Sequence, residues 1–261
     1  MPGALLRPRH ICEHVEAATS GHVLPCGKVD GAVWMIERNV PMGDETNLRA
    51  GQPVLVCRWR LAHKTVPLLN RHIRALAQRR IDGVALSMNL VAWAKQHIEW
   101  AVAEDAYHDH DGVLMLVVDD AGQAVMSTGA YEPLADVSPA ALATRAAEAR
   151  REAAATSVAP EVLCALEGDV LKVATVPGES ASGVLSLVEQ LAATKGAACQ
   201  HVLTTPENAL TAPELLEALG EGALMLVSDE HGVVACTDMA EACAAVTPAF
   251  FADAYARLLA R

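Results

Sequence analysis

Aromatic side chains are scarce: Phe, Trp and Tyr make up 3% of 261 residues. That is too few for a platform on which nucleic-acid bases stack. Positive charge is also short, with 20 Lys and Arg against 32 Asp and Glu and a formal net charge of −12. Such a balance repels phosphate backbones, so nucleic acid is not expected as a direct partner. Long apolar runs are missing. Val113–Val118 and Ala223–Val227 fall far short of the ~20 residues a spanning helix needs, so no membrane partner is expected. Met1–Arg9 has two arginines and no apolar stretch behind them, which argues against a secretory signal. The seven cysteines (Cys12, Cys26, Cys57, Cys164, Cys199, Cys236 and Cys243) are odd in number, widely spaced and form no CxxC pair. On that pattern no disulfide framework is expected, and a cytoplasmic location is expected. The GxSxG, HExxH, GxGxxG and Walker patterns are absent too, which removes the commonest signatures of hydrolases, zinc peptidases and nucleotide binders.

What the chain does have is apolar content. At 52% apolar it buries a core, and its length allows one large or two small domains. Charge is unevenly placed. Residues 1–130 hold 13 basic and 14 acidic side chains, and residues 131–261 hold 7 and 18.

An internal similarity organises the reading. Gly112-Val-Leu-Met-Leu-Val-Val-Asp-Asp-Ala-Gly122 returns as Gly222-Ala-Leu-Met-Leu-Val-Ser-Asp-Glu-His-Gly232, 110 residues later, with seven identical positions. Val137-Ser-Pro-Ala is answered by Val246-Thr-Pro-Ala, each opening an alanine-rich helix. An Asp-x-x-Gly turn between apolar runs signals a hairpin. Each copy reads as strand, helix, strand, helix and hairpin: Val54–Trp59, Pro67–Arg80, Gly83–Met88 and Ala92–Glu104 in the first, Val170–Val176, Gly183–Lys195, Cys199–Leu203 and Ala212–Leu219 in the second. Strands alternating with helices, and apolar strands without polar alternation, predict an α/β fold with both sheet faces covered. The expected architecture is two tandem, similar α/β domains with mainly parallel sheets flanked by helices. The expected divisions are an N-terminal helical or loop extension (1–30), a first α/β domain (31–136), a linking helix (137–158) and a second α/β domain with a C-terminal helix (159–261).

Three segments carry a family resemblance. Val33-Trp34, Leu48-Arg49-Ala50-Gly51-Gln52-Pro53-Val54-Leu55-Val56 and Gly83-Val84-Ala85-Leu86 together resemble the N-terminal ligand-sensing domain of PucR-type regulators. Gly168-Asp169-Val170 and the following helix are similar to the DRTGG-type regulatory domains found beside kinases and phosphotransacetylases. The end of each copy is similar to the closing hairpin of a CBS domain. The resemblance implies a non-catalytic, small-molecule-sensing or regulatory protein, of the kind used in transcription regulation, acting with a protein partner or as a homodimer. A second resemblance gives the alternative. Val66-Pro-Leu-Leu-Asn-Arg-His-Ile-Arg-Ala-Leu76 resembles the N-terminal helix of pyridoxal enzymes of the branched-chain aminotransferase type, or their lysine segment with Lys64 as the Schiff-base lysine. It implies a class IV aminotransferase-like enzyme, dependent on pyridoxal phosphate and centred on Lys64. A third reading is a structural protein whose basic first half meets an acidic partner. The sequence by itself names no cofactor.

The candidate ligand site is Arg58, Arg60, His63, Lys64 and Arg71. These basic residues follow an apolar strand and enter a helix, and in α/β folds ligands bind outside the carboxyl ends of strands. A phosphate or carboxylate of an anionic small molecule would sit there, aided by the helix N-terminus. The Gly178-Glu-Ser-Ala-Ser-Gly183 loop is the equivalent place in the second copy. His10, Cys12, His14, His22 and Cys26 offer nitrogen and sulfur ligands, or else form a solvated surface helix, and no metal is assigned to them. His108 and His110 read as a polar loop. Phe250, Phe251, Tyr255 and Leu258 predict a C-terminal helix that docks on its own sheet or forms a dimer seam.

Overall fold

The apolar runs form the strands, and most of those strands pair antiparallel. In the computed structural model the structure describes residues 22–29, 32–38, 53–81, 83–103, 111–120, 124–156, 161–177, 182–205, 211–236 and 246–260. The first half runs β1 (His22–Val29), β2 (Ala32–Arg38), β3 (Pro53–Ala62), α1 (Leu69–Ala77), β4 (Arg80–Ile81), β5 (Val84–Ala85), α2 (Met88–Ala103), β6 (Asp111–Asp119) and β7 (Ala124–Ala130). The second runs α3 (Pro139–Thr156), β8 (Val162–Glu167), β9 (Val170–Val173), α4 (Gly183–Thr194), β10 (Ala198–His201), α5 (Ala212–Leu219), β11 (Ala223–Ser228), β12 (Gly232–Ala235) and α6 (Pro248–Leu259). The α/β class is as expected. The parallel sheets are not: the strand orders are β1-β2-β7-β6-β3 and β10-β9-β8-β11-β12. In each, one strand pair is parallel, β2 with β7 and β9 with β10, and the rest are antiparallel.

The two hairpins of the repeated sequence do form, as β6–β7 and β11–β12. Each lays its first strand beside an apolar strand from earlier in its own half, β6 on β3 and β11 on β8. Beyond that unit the halves differ. β7 is covered by β2, whereas β12 ends its sheet, so a clean tandem duplication is not what the topology shows. β1 also occupies part of the stretch expected to be helix or loop. Gly83–Met88 was expected as a strand, but only Val84–Ala85 pairs. Val84 and Met88 are exposed, so no core holds a longer strand there. Ser87 Oγ instead accepts from the Leu90 amide at 3.1 Å and opens α2.

The expectation of a sheet covered on both faces holds in the second sheet, for a reason independent of strand direction. In the second sheet Val162, Cys164, Leu166, Met225 and Val227 pack against α4 and α6, while Leu163, Ala165, Leu224 and Leu226 pack against α3 and α5. The strands are apolar on both sides because helices sit on both sides. In the first sheet Leu55, Cys57, Trp59, Leu114 and Leu116 face α1 and α2. The other face of β3 meets α3. Phe251 and Tyr255 of α6 are buried in their own sheet's core, which settles docking over a dimer seam for those two side chains.

Gly232 closes the second hairpin. Its φ of 73° lies in the left-handed region, and an added Cβ would stand 2.1 Å from the Tyr255 ring. Gly232→Ala is therefore expected to cost at least about 2 kcal/mol through backbone strain and overpacking together. The check is urea unfolding, in which the midpoint should fall without a change of slope.

Candidate functional site

The turn between β11 and β12 is inserted against the edge of β3. The Arg60 amide donates to the Asp229 carbonyl at 2.9 Å, so the two sheets are tied through backbone. Around that contact lies a cleft lined by Cys57, Arg58, Arg79, Glu152, Glu161 and Asp229, among others, with a cavity of about 20 Å³. That is room for a water or two.

Each element contributes by its own periodicity. Alternate residues of β3 share a face, so Arg58 and Arg60 both point away from the core of the first sheet. On α3, three-to-four spacing puts Arg145, Ala149 and Glu152 on one side. Arg58 donates to both Glu152 oxygens, at 3.1 and 2.5 Å, and the two side chains stay 22% and 25% exposed. Arg145 donates to both oxygens of Glu161, at 2.5 and 2.8 Å, and to His231 Nε2 at 2.6 Å. Because a guanidinium only donates, His231 Nε2 accepts and its proton sits on Nδ1, 3.4 Å from the Tyr131 hydroxyl.

Asp229 is buried. One of its oxygens accepts from the Val184 amide at 2.9 Å, at the start of α4. The other lies 3.3 Å from His72 Nδ1 on α1. Burial opposes ionisation of this carboxyl, but His72 and the Val184 and Gly183 amides outweigh it and hold its pKa below the ordinary value. His72 is 1% exposed, its Nε2 has no hydrogen-bond partner, and its ring lies 5.6 Å from that of Trp59. Burial raises the Glu161 pKa, with Arg145 offsetting part of the rise. Burial and then the positive charge of Arg145, Arg60 and Arg58 lower His231 to about 3. Burial raises the Cys57 thiol to about 11, which makes it an inert core group.

The five residues expected to bind a ligand do not converge. Arg58 lines the cleft. Arg60 is 6% exposed and fully engaged: it donates to the Gly112 carbonyl at 3.0 Å and to Asp111 at 3.1 Å, and lies 3.5 Å over the Tyr131 ring. His63 and Lys64 form a left-handed turn before α1, with φ of 47° and 62°, outside the cleft lining. Arg71 crosses to α4, donating to the carbonyl and hydroxyl of Ser186 at 3.2 and 3.1 Å and to Gln190. It holds the halves together. At the equivalent place in the second half, the Asp229 carboxylate occupies the start of α4. Gly178–Ala181, His108, His110 and the side chains of the N-terminal His and Cys cluster lie outside the described residues. Sequence reading missed His72, Arg145, Glu152, Glu161 and His231. The one visible signal was the second turn, where Asp229-Glu-His replaces the Asp119-Asp-Ala of the first.

The site does not fit a lysine-held pyridoxal phosphate. Among lysines with described side chains, Lys95 pairs with Glu99, Lys172 with Glu167 and the Leu219 carbonyl, and Lys195 lies over Phe250. Lys64 is in the turn before α1, so none of them lines the cleft. The cavity is also far below the ~300 Å³ of an ordinary cofactor pocket.

No protein-family model matches the sequence, and no curated protein matches it. Solved structures of similar shape include a fold IV transaminase from Curtobacterium pusillum, with TM-score 0.48, 14% identity and coverage of 85% of this chain and 89% of that one. A hypothetical aminotransferase from Mycobacterium tuberculosis in its PLP-bound form gives 0.49, 12%, 87% and 94%. A protein described as a 4-amino-4-deoxychorismate lyase from Legionella pneumophila gives 0.46, 13%, 74% and 87%. The neighbours named are aminotransferases and one lyase, none of them a PucR-type, DRTGG-type or CBS domain, and the resemblance to those regulatory domains is corrected accordingly. The non-catalytic sensing role and the link to transcription regulation go with it. The physical reason is local: a Gly-Asp-Val strand start and a Leu- and Val-rich hairpin recur in many sheets, and neither specifies the strand order around it. Among the described residues, no helix is long and apolar enough to cross a membrane.

Two measurements test the site as built. Asp229→Ala is expected to cost about 3 kcal/mol or more in urea unfolding, because it strips a charged acceptor from the start of α4 and from His72 together. For His231, the unfolded chain takes up its proton near pH 6.5 and the folded chain only near pH 3. Stability should therefore fall as pH drops from about 6.5 toward 3, by up to about 1.4 kcal/mol per pH unit. The advantage of wild type over His231→Asn should shrink across that window, whereas a constant difference would show that His231 is not held neutral.

Proposed function

We propose that the protein is an enzyme whose reaction centre is the charged cleft bounded by β3, α3 and the turn after β11. The class of chemistry is proton transfer on a small carboxylate-bearing molecule. The observation that carries the reading is the state of Arg58, a guanidinium bound two-fold by a carboxylate that still touches solvent. A substrate carboxylate has the same planar, two-oxygen geometry and can take the place of Glu152 on Arg58 at the solvent-exposed mouth of the cleft, since the cavity itself holds no more than a water or two. Behind that position Glu161, its pKa raised by burial, is the candidate group for giving and taking the proton. His231, its Nε2 taken by Arg145, positions that guanidinium against Glu161. A buried carboxyl with a raised pKa at a cleft is a group that acid–base catalysis uses.

The aminotransferase and lyase names of the compared structures agree with an enzyme, and so does the class IV resemblance of Val66–Leu76, which here forms most of α1. The Lys64-centred, pyridoxal-dependent form of that reading is not retained, since Lys64 lies outside the cleft. The division of the chain near residues 136–160, a cytoplasmic location, and a protein partner or second copy of the chain belong to the same proposal. Its support on location is the buried free thiols Cys57 and Cys164.

The test is proton exchange in heavy water, followed by proton NMR, with a panel of small amino acids and 2-oxo acids. At least one is expected to lose its α- or β-hydrogen signal. Glu161→Gln should slow that exchange about 100-fold or more, and Arg58→Ala should weaken binding of the same compound at least about 10-fold. A panel that neither binds nor exchanges would overturn the proposal. A stable violet absorbance with added pyridoxal phosphate, lost in Lys64→Ala, would restore the Lys64-centred alternative.

A further inference from the structure

We infer that Glu189, Cys199 and His201 form a site for a zinc-class divalent cation at the outer edge of the second sheet, on elements separate from the cleft. One ligand atom from each lies within 4.8 Å of the other two, and His201 Nε2 stands 3.9 Å from a Glu189 oxygen. A tetrahedral centre with zinc bonds of about 2.0–2.3 Å sets its ligand atoms about 3.3–3.8 Å apart. Small side-chain rotations close that difference.

The elements bring these residues together by construction. Cys199 and His201 are alternate residues of β10, so they share one face of the strand. Glu189 comes from α4, the helix that packs on β10. Thr175 supplies the outer support: its hydroxyl lies 2.7 Å from His201 Nδ1. That contact occupies one ring nitrogen and leaves Nε2 turned toward Glu189, the orientation that metal-binding histidines take from a partner behind them.

Among the described residues no lysine or arginine pairs with Glu189. A divalent ion placed among the three ligands would neutralise the carboxylate and favour the thiolate. One sulfur, one imidazole and one carboxylate suit zinc and exclude the oxygen-seeking calcium and magnesium. Three protein ligands leave a fourth position for water. Glu161, Glu230 and His231 are equally close together, yet they carry no such site, because Arg145 already occupies His231 Nε2.

The test uses the full chain, freed of metal with a chelator and then titrated with cobalt(II). One equivalent is expected to produce the near-ultraviolet thiolate-to-cobalt absorbance and to be displaced by one equivalent of zinc, with about one proton released per ion. Cys199→Ser should abolish the band. His201→Ala should weaken zinc binding about 100-fold or more, and Thr175→Val about 10–100-fold. Circular dichroism should show Cys199→Ser and His201→Ala folded, since both residues are exposed on an edge strand, and it checks the fold of Thr175→Val, whose side chain is buried. Absence of a saturable thiolate band would overturn the site. So would a band that survives Cys199→Ser, which would assign the metal to other cysteines such as Cys12 and Cys26.

Discussion

The junction of the two halves depends on satisfying one buried carboxylate. Asp229 is carried into the interior by the hairpin of the second sheet, and an unpaired charge there would cost several kcal/mol. It is met from two directions, by the first amides of α4 and by His72 of α1. Those partners come from different halves of the chain, so the acid orients one half on the other. Gly183 has no side chain where His72 packs: an added Cβ would lie 2.4 Å from Nδ1. The backbone bond from Arg60 to Asp229 then sets β3 against the turn, and the cleft is the space left beside that contact.

Helix α3 completes the arrangement. Its alanines 143, 146, 147 and 149 are buried, and their small side chains let the helix sit close between the sheets. Its charged side faces the cleft, where Arg58–Glu152 and Arg145–Glu161 pair across elements. The two pairs differ in their surroundings. The first touches solvent. The second lies against His231 and Tyr131 and fixes which nitrogen of the imidazole carries the proton.

Much of the local structure was legible in the chain. The two Asp-x-x-Gly hairpins, the α5 boundaries Ala212–Leu219 and the alanine-rich α3 follow from turn chemistry, capping and periodicity. Sheet direction was not legible, because a strand buried on both faces reads the same whether its neighbours run parallel or antiparallel. Part of the site was visible: Arg58 stood out as a basic residue on an apolar strand. Arg60 stood out for the same reason and Arg71 as a basic residue on the helix that follows, yet they hold Tyr131 and α4 in place. A lone arginine carries no mark of whether its partner is a ligand or its own protein.

The sequence alone settled composition-level matters: an acidic chain, poor in aromatics, without spanning runs, whose Leu- and Val-rich hairpins lie within an α/β order. Those follow from counts and from patterns within about ten residues. Tertiary structure decided everything that requires two distant segments to meet. Glu152 reaches Arg58 across 94 residues, and Arg145 reaches His231 across 86. Val184, His72 and Asp229 come from three separate elements. The physical reason is that pairing of charges in a low-dielectric interior is set by distance and burial, and neither is encoded in the spacing of residues along the chain.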